Sequence, residues 1–450
     1  MTPQQRSDRS GQVTFPDGDG HAQPGALDGM TIMRYAHIYR DRRSGGVEQY
    51  LRLLDQALLQ RHRLTVLQVY LTTDERNDVI EIQNVGLGRI LWVPVAMRQS
   101  TSILSDLPKR VGQLYRRALK LSRVEAKGQS HAIMSSIRNL VRHNAGHFRY
   151  RTMILSDHLC RILETHHVNL LALHWSSYET GDLIACALKR GIPFVFVNHF
   201  DNGRLSSGPI RTWIAHAEAI GTVSDQGVPS EFRDRYVNLS DAIDINFFSP
   251  MKAVAEQSPA RPIILLPARV EVGKGHRDLL KAARVLNERG VQFDLWFAGA
   301  VESQRLQREL LSSVAAIGMG KNVCFLGEKT PEQIRDCYAT SSIVVLPTYS
   351  EGLGRVVLEA QAMNKPVVAY ECGGTPDALL PDQSGFLVKK GDVLTLANKL
   401  NFLLTNEEER RRMGDRGREF VSRKFGLSGL VQRHEAFYMQ ALAGRSVKVP

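Results

Sequence analysis

Long apolar runs are absent from this sequence. Hydrophobic residues make up 43% of it, yet no uninterrupted run reaches the ~18 residues that a membrane-spanning helix requires. Residues 1–29 are rich in Gly, Pro, Asp, Gln and Ser and contain no apolar stretch like that of a signal peptide, so we expect a disordered tail there. These absences predict a soluble protein or, at most, a peripheral membrane protein.

Cysteine is scarce and irregularly placed. Five cysteines occur in 450 residues, with no Cys-x-x-Cys pair and no ligand-like spacing to histidine. We therefore expect reduced thiols and a cytoplasmic location. The five residues are Cys160, Cys186, Cys324, Cys337 and Cys372.

Internal repeats are absent too, which argues against a solenoid. Instead, the first half alternates strand-like and helix-like segments from "MTIMRYAHIY" through "PFVFVNH" to "AIGTVS". A Pro, Ser and Ala stretch, "FFSPMKAVAEQSPARP", separates it from a second series that runs from "IILLPA" to "PVVAYE". Apolar strands alternating with helices are typical of parallel sheets covered on both faces. We therefore predict an α/β fold with two doubly wound, Rossmann-like sheets that face each other across a cleft.

Chain length agrees with this division, because one core rarely organises more than ~250 to 300 residues. After the tail, we expect an N-terminal domain over residues 30–248 and a C-terminal domain over residues 249–425. Residues 426–450 are expected to form a C-terminal helix that packs back on the N-terminal domain.

The formal net charge of +12 is unevenly distributed. Residues 98–161 hold thirteen Lys and Arg against three Asp and Glu, and we call this range the basic insert. Within it, "PKRVGQLYRRALKLSRV" has the pattern of a basic amphipathic helix. Such a helix either lies on an anionic membrane surface or packs its apolar stripe on the first domain. Nucleic acid is not an expected partner, because no aromatic stacking residues or known binding motif accompany the charge.

Two glutamates flank a glycine turn in "PTYSEGLGRVVLEAQAMNKPVVAYECGG". Glu351 precedes the predicted helix and Glu359 lies within it, whereas Gly352 and Gly354 occupy the turn. Exposed amides at a helix start attract anions, and glycines let a phosphate approach closely. The alternative is a capped turn in which Glu351 only stabilises the helix start.

Three further loops carry candidate residues. "LLPARVEVGKGHRDLL" places Arg269 after a strand and Lys274 before a helix, where both could neutralise a diphosphate; it is not a Walker A loop, because the Ser or Thr after Gly-Lys is missing. "RSGGVEQYL" joins a strand to a helix through Gly45 and Gly46, and His199 ends the strand "PFVFVNH". Taken singly, each has a structural alternative: solvated cations, a tight turn or a buried histidine.

Together these stretches resemble the retaining glycosyltransferase family 4, also called glycosyl transferases group 1, which has the GT-B fold. The matching stretches are "GGVEQYL", "NHFD", "AIGTVS", "DAIDINFFSP", "PARVEVGKGH", "SEGLGRVVLEAQAMNKPVVAYECGGTPD" and "SGFLV". Two departures stand out. Asp241 and Ala242 replace the family's usual Asn and Gly, so the loop near the domain hinge is expected to differ in shape.

The resemblance implies a transfer of a hexose from a UDP- or GDP-sugar to an acceptor, with a lipid-linked glycan of surface polysaccharide synthesis as the expected acceptor. It implies that Glu359 holds the ribose, that Glu351 contacts the transferred sugar and that His199 lies beside its reacting carbon. The remaining implied donor-binding residues are Arg269 and Lys274 on the diphosphate, the amides around Gly352, Leu353 and Gly354, and the close approach at Gly45 and Gly46.

No cofactor or metal is expected, because the family works without one and the sequence has its only Asp-x-Asp pair, Asp17 to Asp19, in the predicted tail. Two rival functions stay open. One is a GT-B-fold nucleotide-sugar epimerase; the other is a catalytically silent module that binds a nucleotide sugar.

Overall fold

The computed structural model describes residues 26–35, 46–72, 80–96, 156–174, 180–200, 202–206, 208–250 and 259–443. The predicted tail up to residue 25 and the basic insert from residue 98 to residue 155 therefore lie outside the described residues. Their predicted disorder, helix and membrane contact stay predictions.

The first sheet contains eight described strands. They are β1 (Thr31–Tyr35), β2 (Thr65–Thr72), β3 (Glu81–Val85), β4 (Gly88–Ala96), β5 (Leu170–Leu173), β6 (Phe194–Asn198), β7 (Ala219–Thr222) and β8 (Tyr236–Asn238). Their spatial order is β3-β4-β2-β1-β5-β6-β7-β8. All neighbours are parallel except β3, which pairs antiparallel to β4 at the sheet edge. The sequence patterns predicted neither this hairpin nor β8, which lies in a polar stretch.

The second sheet contains six described strands, all of them parallel to their neighbours. They are β9 (Ile263–Leu266), β10 (Asp294–Ala298), β11 (Val323–Gly327), β12 (Ile343–Leu346), β13 (Val367–Tyr370) and β14 (Gly385–Val388). Their order is β11-β10-β9-β12-β13-β14, so the order reverses between β9 and β12. Every residue of the apolar runs β9, β12 and β13 is buried. The prediction of two doubly wound sheets is confirmed.

Twelve α-helices of the described residues cover these sheets. In the first half they are α1 (Gly46–Arg61), α2 (Ser156–Thr165), α3 (Thr180–Lys189) and α4 (Gly208–Ile214). In the second half they are α5 (His276–Glu288), α6 (Gln304–Ala316), α7 (Pro331–Thr340), α8 (Arg355–Ala362), α9 (Thr375–Ala378), α10 (Val393–Thr405), α11 (Glu407–Lys424) and α12 (Leu427–Ala443). None of these helices is both long and apolar enough to span a bilayer.

The last helix, α12, lies against α1 of the N-terminal half. Its buried face joins the same apolar core as α1, and two buried polar contacts link the helices. The Tyr50 hydroxyl lies 2.9 Å from His434 Nε2, and His62 Nε2 lies 2.8 Å from a carboxylate oxygen of Glu435. The chain therefore returns to its first domain at its C-terminal end.

The structure corrects one expectation about the cysteines. Cys160 of α2 and Cys186 of α3 form a disulfide, so the prediction that all five thiols are reduced is wrong for this pair. The spacing of 26 residues gave no sign of it, because only the packing of the two helices brings the residues together.

Candidate active site

The glycine turn before α8 approaches the N-terminal domain closely. Gly354 precedes the helix with φ 91°, a left-handed conformation that glycine adopts without steric cost. A Cβ atom added to Gly352 would lie 2.2 Å from the backbone oxygen of His199. Only glycine fits there, and the helix start therefore lies directly across from the end of β6.

Lys274 and Glu351 meet beside this turn. The Lys274 ammonium lies 3.1 Å from a Glu351 carboxylate oxygen, and both side chains keep about a quarter of their surface exposed, 22% and 24%. The two loops are held together by the Tyr349 amide, which donates to the Gly273 carbonyl at 2.8 Å. A Cβ atom on Gly275, which has φ 77°, would lie 1.9 Å from the Pro347 carbonyl oxygen. Tight backbone contact thus positions a cation and a carboxylate where a ligand can reach them.

Arg269 follows β9 as predicted but is not part of this pair. Its guanidinium lies 3.1 Å from Glu271, and 57% of its side chain is exposed. A diphosphate clamp formed with Lys274 would require Arg269 to leave Glu271. Its predicted role stays a prediction.

Glu359 lies one helical turn inside α8 and is almost completely buried. The Tyr338 hydroxyl donates to its carboxylate at 2.9 Å, and the Arg355 guanidinium lies 3.9 Å away. Burial raises the pKa of the Glu359 carboxyl, whereas the charge of Arg355 and the hydrogen bond from Tyr338 lower it. Ribose binding by Glu359 is untested, and it would have to share the carboxylate with Tyr338.

His199 extends from the end of β6 and is half-buried. Its Nε2 atom lies 3.0 Å from Nδ1 of His174, and the Tyr50 ring packs edge-on against it with centroids 4.7 Å apart. Burial, followed by the nearby charge of Arg355, lowers the pKa of His199 to about 3. The imidazole is therefore neutral at physiological pH.

The other predicted residues are distributed around the same turn. Leu353 is buried between the two glycines, and Gly46 is the first residue of α1. Gly45 lies outside the described residues, so the close approach predicted at that position is not described. Within the described residues no group of His, Cys, Asp and Glu is arranged to hold a metal ion.

Two polar contacts between the domains were not predicted. Arg355, the first residue of α8, pairs with Asp241 and also donates to the Ala242 carbonyl at 3.1 Å. Asp241 and Ala242 are the two departures noted from the family pattern, and the substituted Asp acquires a cationic partner. The Asp at position 241, where the family usually has Asn, was the only sign of this contact in the sequence.

The second contact is made by Asp377 of α9. Its carboxylate accepts from the Ser224 hydroxyl at 2.6 Å and from the Gln226 side-chain amide at 3.0 Å. In addition, a Cβ atom on Gly374 would lie 2.6 Å from the Ser224 Cβ atom. The loop after β7 therefore lies directly on the glycine turn at 373–374.

Comparison with known proteins shows what the chain is similar to. Residues 250–420 match the family model described as glycosyl transferases group 1. This part of the chain is similar to the group 1 glycosyltransferases. Lys274, Glu351 and Glu359 all lie within the matched residues.

Two curated relatives of this chain have sugar-transfer names. The chain is 31% identical over 191 residues to a D-inositol 3-phosphate glycosyltransferase of Nocardia farcinica, covering 40% of this chain and 42% of that protein. It is 28% identical over 170 residues to the capsular polysaccharide biosynthesis glycosyltransferase CapM of Staphylococcus aureus, covering 38% and 44%. The chain thus spans less than half the length of each of these two relatives.

Solved structures match nearly the whole chain. A sucrose-phosphate synthase from Thermosynechococcus elongatus superposes with a TM-score of 0.66 at 17% identity, covering 92% of this chain and all of that one. Anabaena HepE in complex with UDP and glucose superposes with a TM-score of 0.65 at 15% identity, covering 91% and 99%. The architecture of the two sheets is GT-B, as the resemblance implied.

Proposed function

We propose that the chain is a retaining, metal-independent glycosyltransferase that moves a hexose from a UDP- or GDP-sugar to an acceptor. The observation that carries this proposal is the convergence of three loops. Lys274, Glu351 and the α8 start come from the C-terminal domain, and His199 faces them from the N-terminal domain. A nucleotide sugar between them would meet a cation and helix amides at the diphosphate and polar groups at the sugar.

The chemistry follows from where charge develops. As the bond between sugar and phosphate breaks, negative charge accumulates on the leaving nucleotide, and a fixed cation and oriented amides stabilise that transition state. The Lys274 ammonium, with 22% of its side chain exposed, is accessible for this purpose. Glu351, its present partner, would then contact the hydroxyls of the transferred sugar.

The relatives suggest substrates without fixing them. HepE has been crystallised with UDP and with glucose, which supports a UDP-sugar as the first donor to test. CapM is named for capsular polysaccharide biosynthesis, which supports a glycan acceptor. We propose that this acceptor is lipid-linked and reached at the cytoplasmic face of a membrane.

The first experiment is a thermal-shift screen of the full chain against UDP, GDP, ADP and their sugars. A ligand that binds only the folded state raises the melting temperature, so one nucleotide series should give a clear increase. The Lys274→Ala variant should give a smaller increase with the same nucleotide. If no nucleotide shifts the wild-type protein, the proposal fails.

The second experiment separates transfer from epimerisation. The protein is incubated with the nucleotide sugar alone and then with added glycan acceptors, and the products are followed by NMR. A transferase gives slow hydrolysis alone and a product of retained anomeric configuration with acceptor. Conversion of the nucleotide sugar to its epimer without any acceptor would identify an epimerase instead.

A further inference from the structure

A buried group of polar side chains lies behind His199. His174, at the end of β5, has no exposed surface, and neither has Arg34 of β1. Arg34 pairs with Asp55 of α1. The sequence patterns did not single out any of these three residues.

The contact between the two histidines requires one hydrogen between the two ring nitrogens, but the distance does not show which nitrogen carries it. His174 Nδ1 and His199 Nε2 are 3.0 Å apart, so one nitrogen carries the hydrogen and the other accepts it. A neutral imidazole has one N–H and one lone pair, and the hydrogen bond at one nitrogen therefore decides the state of the other. Two arrangements of the pair are consistent with the distance alone.

The surroundings of His174 distinguish the two arrangements. Its Nε2 atom is buried without a hydrogen-bond partner among the described residues, and so are Nε and Nη2 of Arg34. Arg34 is close enough to lower the pKa of His174. If His174 Nε2 carried a hydrogen, a buried donor would be left near a cation whose own donors are unsatisfied. A lone pair at Nε2 is favourable there, because the Arg34 charge is nearby.

The tautomer of His174 determines the tautomer of His199. With a bare Nε2, His174 carries its hydrogen on Nδ1 and donates to Nε2 of His199. His199 must then carry its own hydrogen on Nδ1. This Nδ1 atom is not among the buried unpaired atoms of the described residues, so its hydrogen is available to a ligand in the cleft.

The helix α12 restrains the same histidine from the side. His434 Nδ1 lies 3.0 Å from the Leu430 carbonyl oxygen and must donate to it. His434 Nε2 is therefore an acceptor, and the Tyr50 hydroxyl, 2.9 Å away, donates to it. Held in this way, the Tyr50 ring packs edge-on against His199. Ring position and protonation are thus set by different neighbours.

We propose that His174 is a positioning residue that holds His199 as the neutral Nδ1–H form, so that His199 donates a hydrogen bond to the bound sugar and does not act as a base. The role in catalysis rests on the proposed function; the protonation state does not. Burial lowers the pKa of both histidines, with added effects from His199, Arg34 and His434 on His174 and from Arg355 on His199. Both rings thus stay neutral at physiological pH.

The first test uses NMR and requires no turnover. The full chain is labelled with ¹⁵N-histidine, and a two-bond ¹H–¹⁵N spectrum distinguishes protonated from unprotonated ring nitrogens. The His199→Gln variant assigns the His199 signals by their loss. We expect His199 to show a protonated Nδ1 and an unprotonated Nε2. The opposite pattern would overturn the proposal even if the protein proves to be a glycosyltransferase.

The second test compares two replacements of His174. Asn keeps an N–H donor near the position of Nδ1, whereas Leu removes it at similar size. We expect His174→Leu to lower kcat roughly tenfold, about one lost hydrogen bond in the transition state, with little change in donor KM, and His174→Asn to recover most of that loss. Equal kcat losses in variants with the same melting temperature would show that the side chain only fills space and would overturn the positioning role.

Discussion

The two sides of the cleft present their functional groups in opposite ways. On the C-terminal side, Lys274 and Glu351 are charged partners that both remain partly exposed. On the N-terminal side, His199 is held by a fully buried histidine and stays neutral at physiological pH. Charge on one side is accessible to a ligand, whereas the other side offers oriented, uncharged hydrogen-bond groups.

This difference indicates a division of labour. A partly exposed ion pair contributes little to stability because water screens it, so Lys274 can exchange Glu351 for a phosphate without great cost. A buried polar network is expensive to disturb, because each group left without a partner loses its hydration without compensation. We therefore expect changes on the C-terminal side to reduce activity and changes on the N-terminal side to reduce stability as well.

The largest expected effect lies where the two sides are joined. Asp241 is buried and pairs with Arg355 across the domains. Asp241→Ala should destabilise the protein by about 3 kcal/mol, because it strands the partly buried Arg355 guanidinium. Asp241→Asn combined with Arg355→Met should lose less than the sum of the two single changes. Urea unfolding of the two single variants, Asp241→Asn and Arg355→Met, and of their double variant measures the coupling.

The control for the Asp241 and Arg355 variants is an exposed ion pair of the C-terminal domain. Arg277 lies 2.6 Å from Glu309, and both side chains are more than 40% exposed. Glu309→Ala should cost far less stability than Asp241→Ala, because water screens this exposed pair. Additive losses for the Asp241 and Arg355 variants would show that the pair does not join the domains energetically.

The next effect concerns the C-terminal side alone. Lys274→Ala should lower kcat by about 100-fold, since removal of one group that stabilises developing charge has an effect of this size. Arg269→Ala should lower it less, because Arg269 is more exposed and is paired with Glu271. The double variant should be the slowest. Steady-state kinetics with a fixed nucleotide sugar provide the measurement.

Lys281→Ala is the matched control for the lysine change. Lys281 lies on α5, beyond the loop, and its ammonium is 3.4 Å from Asp278 with 66% of the side chain exposed. Lys281→Ala removes the same charge from the same domain without changing the glycine turn. Similar kinetics for Lys274→Ala and Lys281→Ala would remove Lys274 from the diphosphate site.

The sequence predicted the C-terminal side better than the N-terminal side for a physical reason. Strands such as β9 and β12 are continuous apolar runs, and Lys274 and Glu351 directly follow or precede elements with strong local patterns. Parallel strands bring their carboxyl ends to one edge of a sheet, so local patterns were sufficient to place these residues together. The antiparallel strand β3 has no such pattern, and its hairpin with β4 was missed.

The N-terminal network depends on contacts between distant segments. Tyr50 and His434 are 384 residues apart in the sequence, and Asp241 and Arg355 are 114 apart. A histidine that follows a strand, such as His174, has no local mark that distinguishes it from an ordinary core residue. Only tertiary packing shows that it lies behind His199.

The smallest effect is a pH dependence that belongs to the buried histidines. Burial is the main cause that lowers the pKa of both His174 and His434 well below the usual 6.5. An unfolded chain therefore binds protons near pH 6.5 that the folded chain does not. Each such histidine contributes stability above that pH and loses it at about 1.4 kcal/mol per pH unit as the pH falls.

Burial raises the pKa of Asp241 and Glu359. These carboxyls therefore increase the stability of the folded protein as the pH falls, whereas the histidines decrease it. The His174→Asn variant separates the contributions, because it removes one titrating ring and leaves both carboxyls in place. Urea unfolding at about pH 7.5, 6.5 and 5.5 should show a shallower loss of stability for the variant than for the wild type. Parallel curves would mean that His174 titrates alike in the folded and unfolded chains, and the neutral, buried character assigned to the N-terminal side would be wrong.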